Sequence, residues 1–263
     1  MNRRTFLAAS SVAVAGLSGC LNRGSGSGSS SYPMPEDGNV DGYPPEFDEK
    51  PKKKSFDPSS FDTKSEGGEE VPLVPTDIVY NWYKRGEARF ADARGTKQYK
   101  TSHIYGAVLS PAPGVRGAPE RDPVLNWPKS DRIVCYCGCP HHLSSIRASA
   151  LMQKGYENVF VIDEGFWEWH DRDYPIRGSN TSYNPVAYII SGVTDAAFAG
   201  KTAWARQLET GQNEATDILT DGSYTLELKF EDVTADSMVH IETPEYTVKG
   251  TIGDLSSRVV SGE

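Results

Sequence analysis

Residues 133–148, IVCYCGCPHHLSSIRA, put three thiols and two imidazoles into one short segment. A β-branched run ends on Cys137, passes through a short loop and meets a predicted helix with Ser144 and Ser145 at its start. A sulfur placed there faces free backbone N–H groups and the positive end of a helix dipole, both of which favour an anion. The thiolate is the reactive form of cysteine, so this layout predicts a nucleophile at Cys137, its pKa lowered from about 8.5. The alternative is an inert structural cysteine at a strand end. Pro140 has no N–H and removes one donor from the loop.

The neighbouring residues carry their own alternatives. Cys135 lies two positions earlier, on the same side of the strand as Cys137, and reads as a small apolar core residue. Cys139 sits in the loop, where it could exchange with Cys137 or be a partly buried thiol. His141 and His142 could supply a pH-dependent positive charge, or be ordinary loop histidines. The five Cys and His residues also read as a soft-metal set. Zinc sites draw ligands from two separated pairs, so copper(I) is the metal that one short segment fits.

The elements that must position these residues follow from pattern. Helix is predicted over Ile78–Arg85, Ser144–Lys154 (closed by Gly155) and Glu164–Arg172. Strands are predicted at Ala88–Ala93, Ile104–Leu109, Ile133–Cys137 and Val159–Ile162. Such alternation implies a parallel α/β sheet over residues 73–177, with ligands at the carboxyl ends of its strands, where Cys137 falls. From 183 to 263 the pattern is of short strands with no helix: Val186–Ser191, Thr202–Leu208, Tyr224–Phe230, Met238–Ile241 and Tyr246–Ile252. That pattern predicts a small antiparallel β-sandwich, with no cluster in it that could carry catalysis.

The ends and the composition bound the setting. Asn2-Arg3-Arg4-Thr5-Phe6-Leu7 and the apolar stretch after it read as a twin-arginine signal over residues 1–19. Leu17-Ser18-Gly19-Cys20 reads as a lipobox, with Cys20 the lipidated first residue; a plain signal with a chance cysteine is the alternative. The expectation is an exported protein, held by lipid alone on the outer face of the cytoplasmic membrane. Residues 20–72, rich in Gly, Ser, Pro and charge, read as a disordered tether. Net charge is −9, and losing Arg3 and Arg4 with the signal leaves −11. So acidic a surface argues against nucleic acid and against docking on anionic lipid. Three thiols within five residues are no disulfide framework and point to reactivity.

The α/β segment resembles the rhodanese family of sulfurtransferases. The resemblance runs through Arg89-Phe90-Ala91-Asp92-Ala93-Arg94, His103-Ile104-Tyr105-Gly106-Ala107-Val108, the strand–Cys137–loop–helix, Gly155-Tyr156-Glu157-Asn158-Val159, Asp163-Glu164-Gly165, Trp169 and Tyr174-Pro175-Ile176. It implies a rhodanese-like parallel sheet flanked by helices, and a Cys137 that takes sulfane sulfur as a persulfide and passes it to a thiophilic acceptor. It implies substrate contacts from Gly138, Cys139, His141, His142, Leu143 and Ser144. Arg94 could bind the substrate anion or, with Asp92, anchor the surrounding loops.

The loop departs from the family in having no Arg or Lys and in running one residue longer before the helix. Lengthened loops are associated with rhodanese-like phosphatases and arsenate reductases, but Leu143 stands where those enzymes clamp the oxyanion with Arg. Residues 183–263 resemble carboxypeptidase-regulatory-like β-sandwiches through Ile190-Ser191-Gly192-Val193-Thr194-Asp195 and Thr220-Asp221-Gly222-Ser223-Tyr224. The expectation is a sulfurtransferase taking sulfur from thiosulfate or a persulfide, with a thiol acceptor, no organic cofactor and no metal. The alternative is a non-enzymatic surface lipoprotein that binds a soft metal or a partner on the same scaffold.

Overall fold

The structure, a computed structural model, describes residues 32–262. The export signal at 1–19 and the lipidation residue Cys20 lie outside the described residues. The α/β part begins with strands β1 (Thr63–Glu66) and β2 (Glu69–Val74), helix α1 (Thr76–Arg85) and strand β3 (Arg89–Asp92). It continues with α2 (Thr96–Thr101), β4 (His103–Ile104), β5 (Val108–Leu109), β6 (Arg132–Tyr136), α3 (His142–Met152), β7 (Asn158–Ile162), α4 (Gly165–Asp171) and β8 (Ile176–Arg177).

Six of these strands form one sheet in the order β1-β2-β7-β6-β3-β5, parallel except for β1 on β2 at the edge. Strand side chains alternate, and here both faces are buried. Phe90, Val134, Tyr136, Phe160 and Ile162 meet α1 and α4 through Val79, Trp82, Tyr83, Phe166 and Trp169. Ala91, Ile133, Cys135, Val159 and Val161 meet α3 through Ala148 and Leu151. The near-continuous apolar runs of β6 and β7 are what a doubly covered parallel strand requires.

Three differences from the sequence reading bear on the site. Helix α3 begins at His142 rather than Ser144, which shortens the loop after β6 and places Ser144 in the first helical turn. The strand expected over Ile104–Leu109 is split, because Gly106 turns the chain at φ +91° between β4 and β5. The tether expected over 20–72 is packed on the domain from residue 32 onward. The Tyr32 hydroxyl donates to the Leu109 carbonyl, the Trp127 indole N–H donates to the Val40 carbonyl, and Phe56 and Phe61 pack on Trp82. Scattered aromatics do this work inside a segment whose average composition is polar.

The C-terminal β region contains β9 (Tyr188–Val193), β10 (Thr202–Gln207), β11 (Gln212–Asp217), β12 (Ser223–Leu228), β13 (Met238–Glu242), β14 (Thr247–Thr251) and α5 (Ile252–Ser256). They form an antiparallel sheet β11-β10-β13-β14 and an antiparallel pair β12-β9. Ile190, Ala205, Leu226, Leu228 and Ile241 from the two sheets share one apolar cluster with Leu255 of α5. Helix α5 replaces the end of the strand expected through Ile252, because the Thr251 hydroxyl caps the Asp254 N–H and starts a helical turn.

Candidate active site

Cys137 follows the last residue of β6, at the carboxyl end of the parallel sheet, and its side chain has no exposed surface. The loop that carries it is held from below by α4: the Phe166 N–H donates to the Cys137 carbonyl at 2.8 Å. Gly165 makes this possible. A Cβ there would stand 2.7 Å from the Cys139 carbonyl oxygen, and its φ of +79° suits only glycine well.

The sulfur is surrounded by donors. Ser144 Oγ lies 3.3 Å from Cys137 Sγ, and the Ser144 amide and the Cys139 thiol also hydrogen-bond to it. In the thiol form Cys137 donates to the Cys139 carbonyl at 3.1 Å. Burial alone would raise the pKa of Cys137. The hydrogen bonds from Cys139 and Ser144, with the nearby charge of Arg94, outweigh burial and bring the thiol down to about 7.

Cys135 sits in the core under α3 and burial pushes its thiol up to about 12, which is the behaviour of an inert apolar residue. Cys139 is held well above the ordinary thiol value. Its hydrogen bond to Cys137 is the first cause, followed by burial and the Glu214 carboxyl group.

Of the two histidines, neither is placed as a charge facing the Cys137 sulfur. His141 closes the start of α3 in a left-handed conformation and turns its Nδ1 to the Asp163 carbonyl and carboxylate, each at 3.2 Å. His142 is buried between Cys139 Sγ and Thr216 Oγ1, each at 3.4 Å. Burial, with Lys64 and His141 close by, pushes its pKa down to about 4 despite Asp217, so it is neutral at neutral pH. The expected positive charge on His142 is therefore absent. Leu143 is buried in the apolar cluster that surrounds Cys137, and Gly138 packs its backbone near the Trp167 indole.

Arg94 is 1% exposed and grips Asp92 through Nε–Oδ1 at 2.9 Å and Nη2–Oδ2 at 2.7 Å. Nη2 also donates to the Ser102 carbonyl at 2.7 Å, and the guanidinium lies 4.2 Å from the centre of the Phe166 ring. It anchors the loops and contributes charge to Cys137 from a distance. Among the described residues no group of three or more His, Cys, Asp and Glu side chains is arranged to hold a metal ion.

The sequence reading missed the contribution of the C-terminal β region. Glu214 of β11 is 2% exposed and its Oε1 lies 3.2 Å from Cys139 Sγ. Burial first, then the adjacent Cys137, pushes its pKa up to about 8, against hydrogen bonds from Cys139 and the Ala215 amide. Ala215 and Trp204 join the apolar cluster around Cys137 and Cys139. The region expected to carry no site residue thus closes over the loop. No local signal marks Glu214: it meets a cysteine 75 positions away, from a strand of polar residues whose burial periodicity does not announce. The cavity of about 460 Å³ lined by Asp37, Tyr43, Lys84 and Gly106 shares no residue with the cysteine loop.

A family model for the Rhodanese-like domain matches residues 76–172. Among solved structures, the Rhodanese-like domain of the Anabaena sp. Alr3790 protein is similar at 22% identity, covering 47% of this chain and 88% of that one, with a TM-score of 0.37. The BH2092 protein from Bacillus halodurans is similar at 20% identity, covering 43% and 84%, with a TM-score of 0.36. The human single domain sulfurtransferase TSTD1 is similar at 18% identity, covering 39% and 97%, with a TM-score of 0.34. With the parallel sheet, the strand–cysteine–loop–helix and the matched residues together, this chain contains a rhodanese-like domain at residues 76–172.

Proposed function

We propose that the rhodanese-like domain is a sulfurtransferase in which Cys137 carries the sulfur. The observation that supports this most is the placement of Cys137 at the carboxyl end of β6 with Ser144 Oγ 3.3 Å from its sulfur, surroundings that bring the thiol down to about 7. The Cys137 thiolate attacks the sulfane sulfur of thiosulfate or of a persulfide. The donor's S–S bond breaks, sulfite or a thiolate leaves, and Cys137 holds a persulfide. A thiol or another thiophile then attacks the outer sulfur and restores the thiolate. Arg94 favours the anionic forms through its charge while staying bound to Asp92.

The donor reaches Cys137 by local opening of the cover formed by β11 and the loop, since the closed sulfur has no exposed surface. That closure is also what favours the second reading, a non-enzymatic binding scaffold. Export by a twin-arginine signal and lipid anchoring at Cys20 belong to this proposal: the enzyme would work outside the cytoplasmic membrane, with the acidic chain turned to the medium. The deciding measurement is sulfite release, with intact mass, after thiosulfate treatment. Sulfite from the parent and from Cys135→Ser but not from Cys137→Ser, with a gain of one sulfur, about 32 Da, in Cys139→Ser, supports the transferase. No sulfite from the parent leaves the scaffold reading.

A further inference from the structure

Cys139 is a second buried thiol that the transfer step above does not use. It is separated from Cys137 by Gly138 alone, shares one buried cluster with it, and has Glu214 Oε1 at 3.2 Å. We propose that Cys139 attacks the Cys137 persulfide, with Glu214 accepting its proton, so that the sulfur leaves as hydrogen sulfide and a Cys137–Cys139 disulfide remains. This inference rests on Cys137 being the sulfur carrier, as proposed above.

The step balances. The Cys139 thiol gives its proton to the Glu214 carboxylate, and the Cys139 sulfur bonds to Cys137 Sγ while the bond from Cys137 Sγ to the outer sulfur breaks. The outer sulfur takes the electron pair, is reduced to sulfide, and takes the proton from Glu214 as it leaves, so that hydrosulfide is released and Glu214 is again a carboxylate. The two cysteines are oxidised to a disulfide, and an external dithiol reductant returns them to the starting state. Over one cycle, thiosulfate and a dithiol give sulfite, sulfide and a disulfide.

Three features of the site favour this route. An external acceptor must wait for the cover to open again, while Cys139 already lies in the same buried cluster as Cys137. Holding the attacking thiol in place makes the second step unimolecular. No cation of the loop lies against the sulfur: His142 is neutral at neutral pH, His141 turns to Asp163, and Arg94 acts on Cys137 only from a distance while bound to Asp92. Glu214, once ionised, is a base beside the Cys139 thiol.

The full chain, reduced by a dithiol and freed of it, is mixed with thiosulfate in a single turnover, and sulfite, sulfide and free thiols are counted. The parent is expected to release sulfite and then sulfide in equal amounts and to lose two thiols. Cys139→Ser and Cys139→Ala are expected to release sulfite, retain the persulfide and yield no sulfide. Glu214→Gln is expected to form persulfide and then to release sulfide ~100-fold more slowly than the parent at pH 8, so that sulfide lags far behind sulfite. In the parent the sulfide step should quicken as pH rises through about 8, as Glu214 ionises. The charged and titratable groups facing Glu214 and Cys139 are Cys137, His142 and Arg94, with Lys64 and Asp217 behind His142. Glu214→Gln should lose that rise.

A stable persulfide in the parent, with no sulfide, overturns this inference and leaves the transferase standing. Absence of both sulfite and persulfide overturns the transferase itself. Sulfide release by Glu214→Gln at the parent's rate across the pH range removes Glu214 from the step.

Discussion

Ser144 Oγ stands 3.3 Å from Cys137 Sγ because α3 begins two residues earlier than its serines suggest, which turns the first-turn hydroxyl onto the sulfur. A hydrogen bond to a charged group is worth roughly 1.5–3 kcal/mol. Ser144→Ala should therefore slow alkylation of Cys137 by about tenfold at pH 7 and move the midpoint of its pH dependence upward. The check is the rate of iodoacetamide labelling at Cys137 against pH. An unmoved midpoint would show that the hydroxyl does not hold the thiolate.

Arg94 and Asp92 form a pair with almost no exposed surface on either side. Removing one partner leaves the other buried and uncompensated. Arg94→Met should lower stability by about 3–5 kcal/mol, and the double change Arg94→Met with Asp92→Asn should recover much of the loss. Urea unfolding of the three variants and the parent measures this. Equal destabilisation in the single and double variants would count against a coupled pair.

His142 offers a contrast with the usual assignment of loop histidines. With its pKa pushed down to about 4 by burial, it does not change charge between pH 6 and 8. His142→Gln should leave the shape of the pH profile for persulfide formation unaltered across that range, even if the rate falls. A lost inflection near pH 6.5 would mean that the imidazole titrates where an exposed histidine does.

Glu214 links stability to pH with a definite sign. Its folded pKa, pushed up to about 8, exceeds the ordinary carboxyl value of 4.5, so the folded chain binds this proton more tightly than the unfolded chain. Its contribution is fully present below about pH 4.5 and is lost as pH rises through about 8. Glu214→Gln should raise the melting temperature at pH 9 by several degrees relative to the parent and by much less at pH 5. Thermal unfolding at the two values tests it.

The sheet and the place of Cys137 at the end of a strand could be read from the chain because the determinants are local. Ile133, Val134 and Cys135 form a run that only a doubly covered strand accommodates, and α3 follows within the same segment. Helix α3 starts two residues before the expected serine because His141, which lacks the side-chain oxygen of a usual cap, begins it. His141 instead closes the helix through a left-handed backbone, which no composition rule signals. Glu214 could not be read at all, since its place beside Cys139 depends on β11 closing over a loop 75 positions earlier in the chain. The packing of residues 32–62 was hidden because Tyr32, Tyr43, Phe47, Phe56 and Phe61 are diluted by proline, glycine and charge.

Strand β2 pairs with β7 through Leu73–Val161 and Val74–Ile162, yet it lies just before the residues matched by the family. Cutting the chain down to 76–172 would strip β7 of this neighbour and leave a row of unpaired amides and carbonyls on a long hydrophobic border. Such a fragment should recruit copies of itself and precipitate, as light scattering would report, while the intact chain stays dispersed. The leading segment is therefore a seal for the sheet as much as a lead to it.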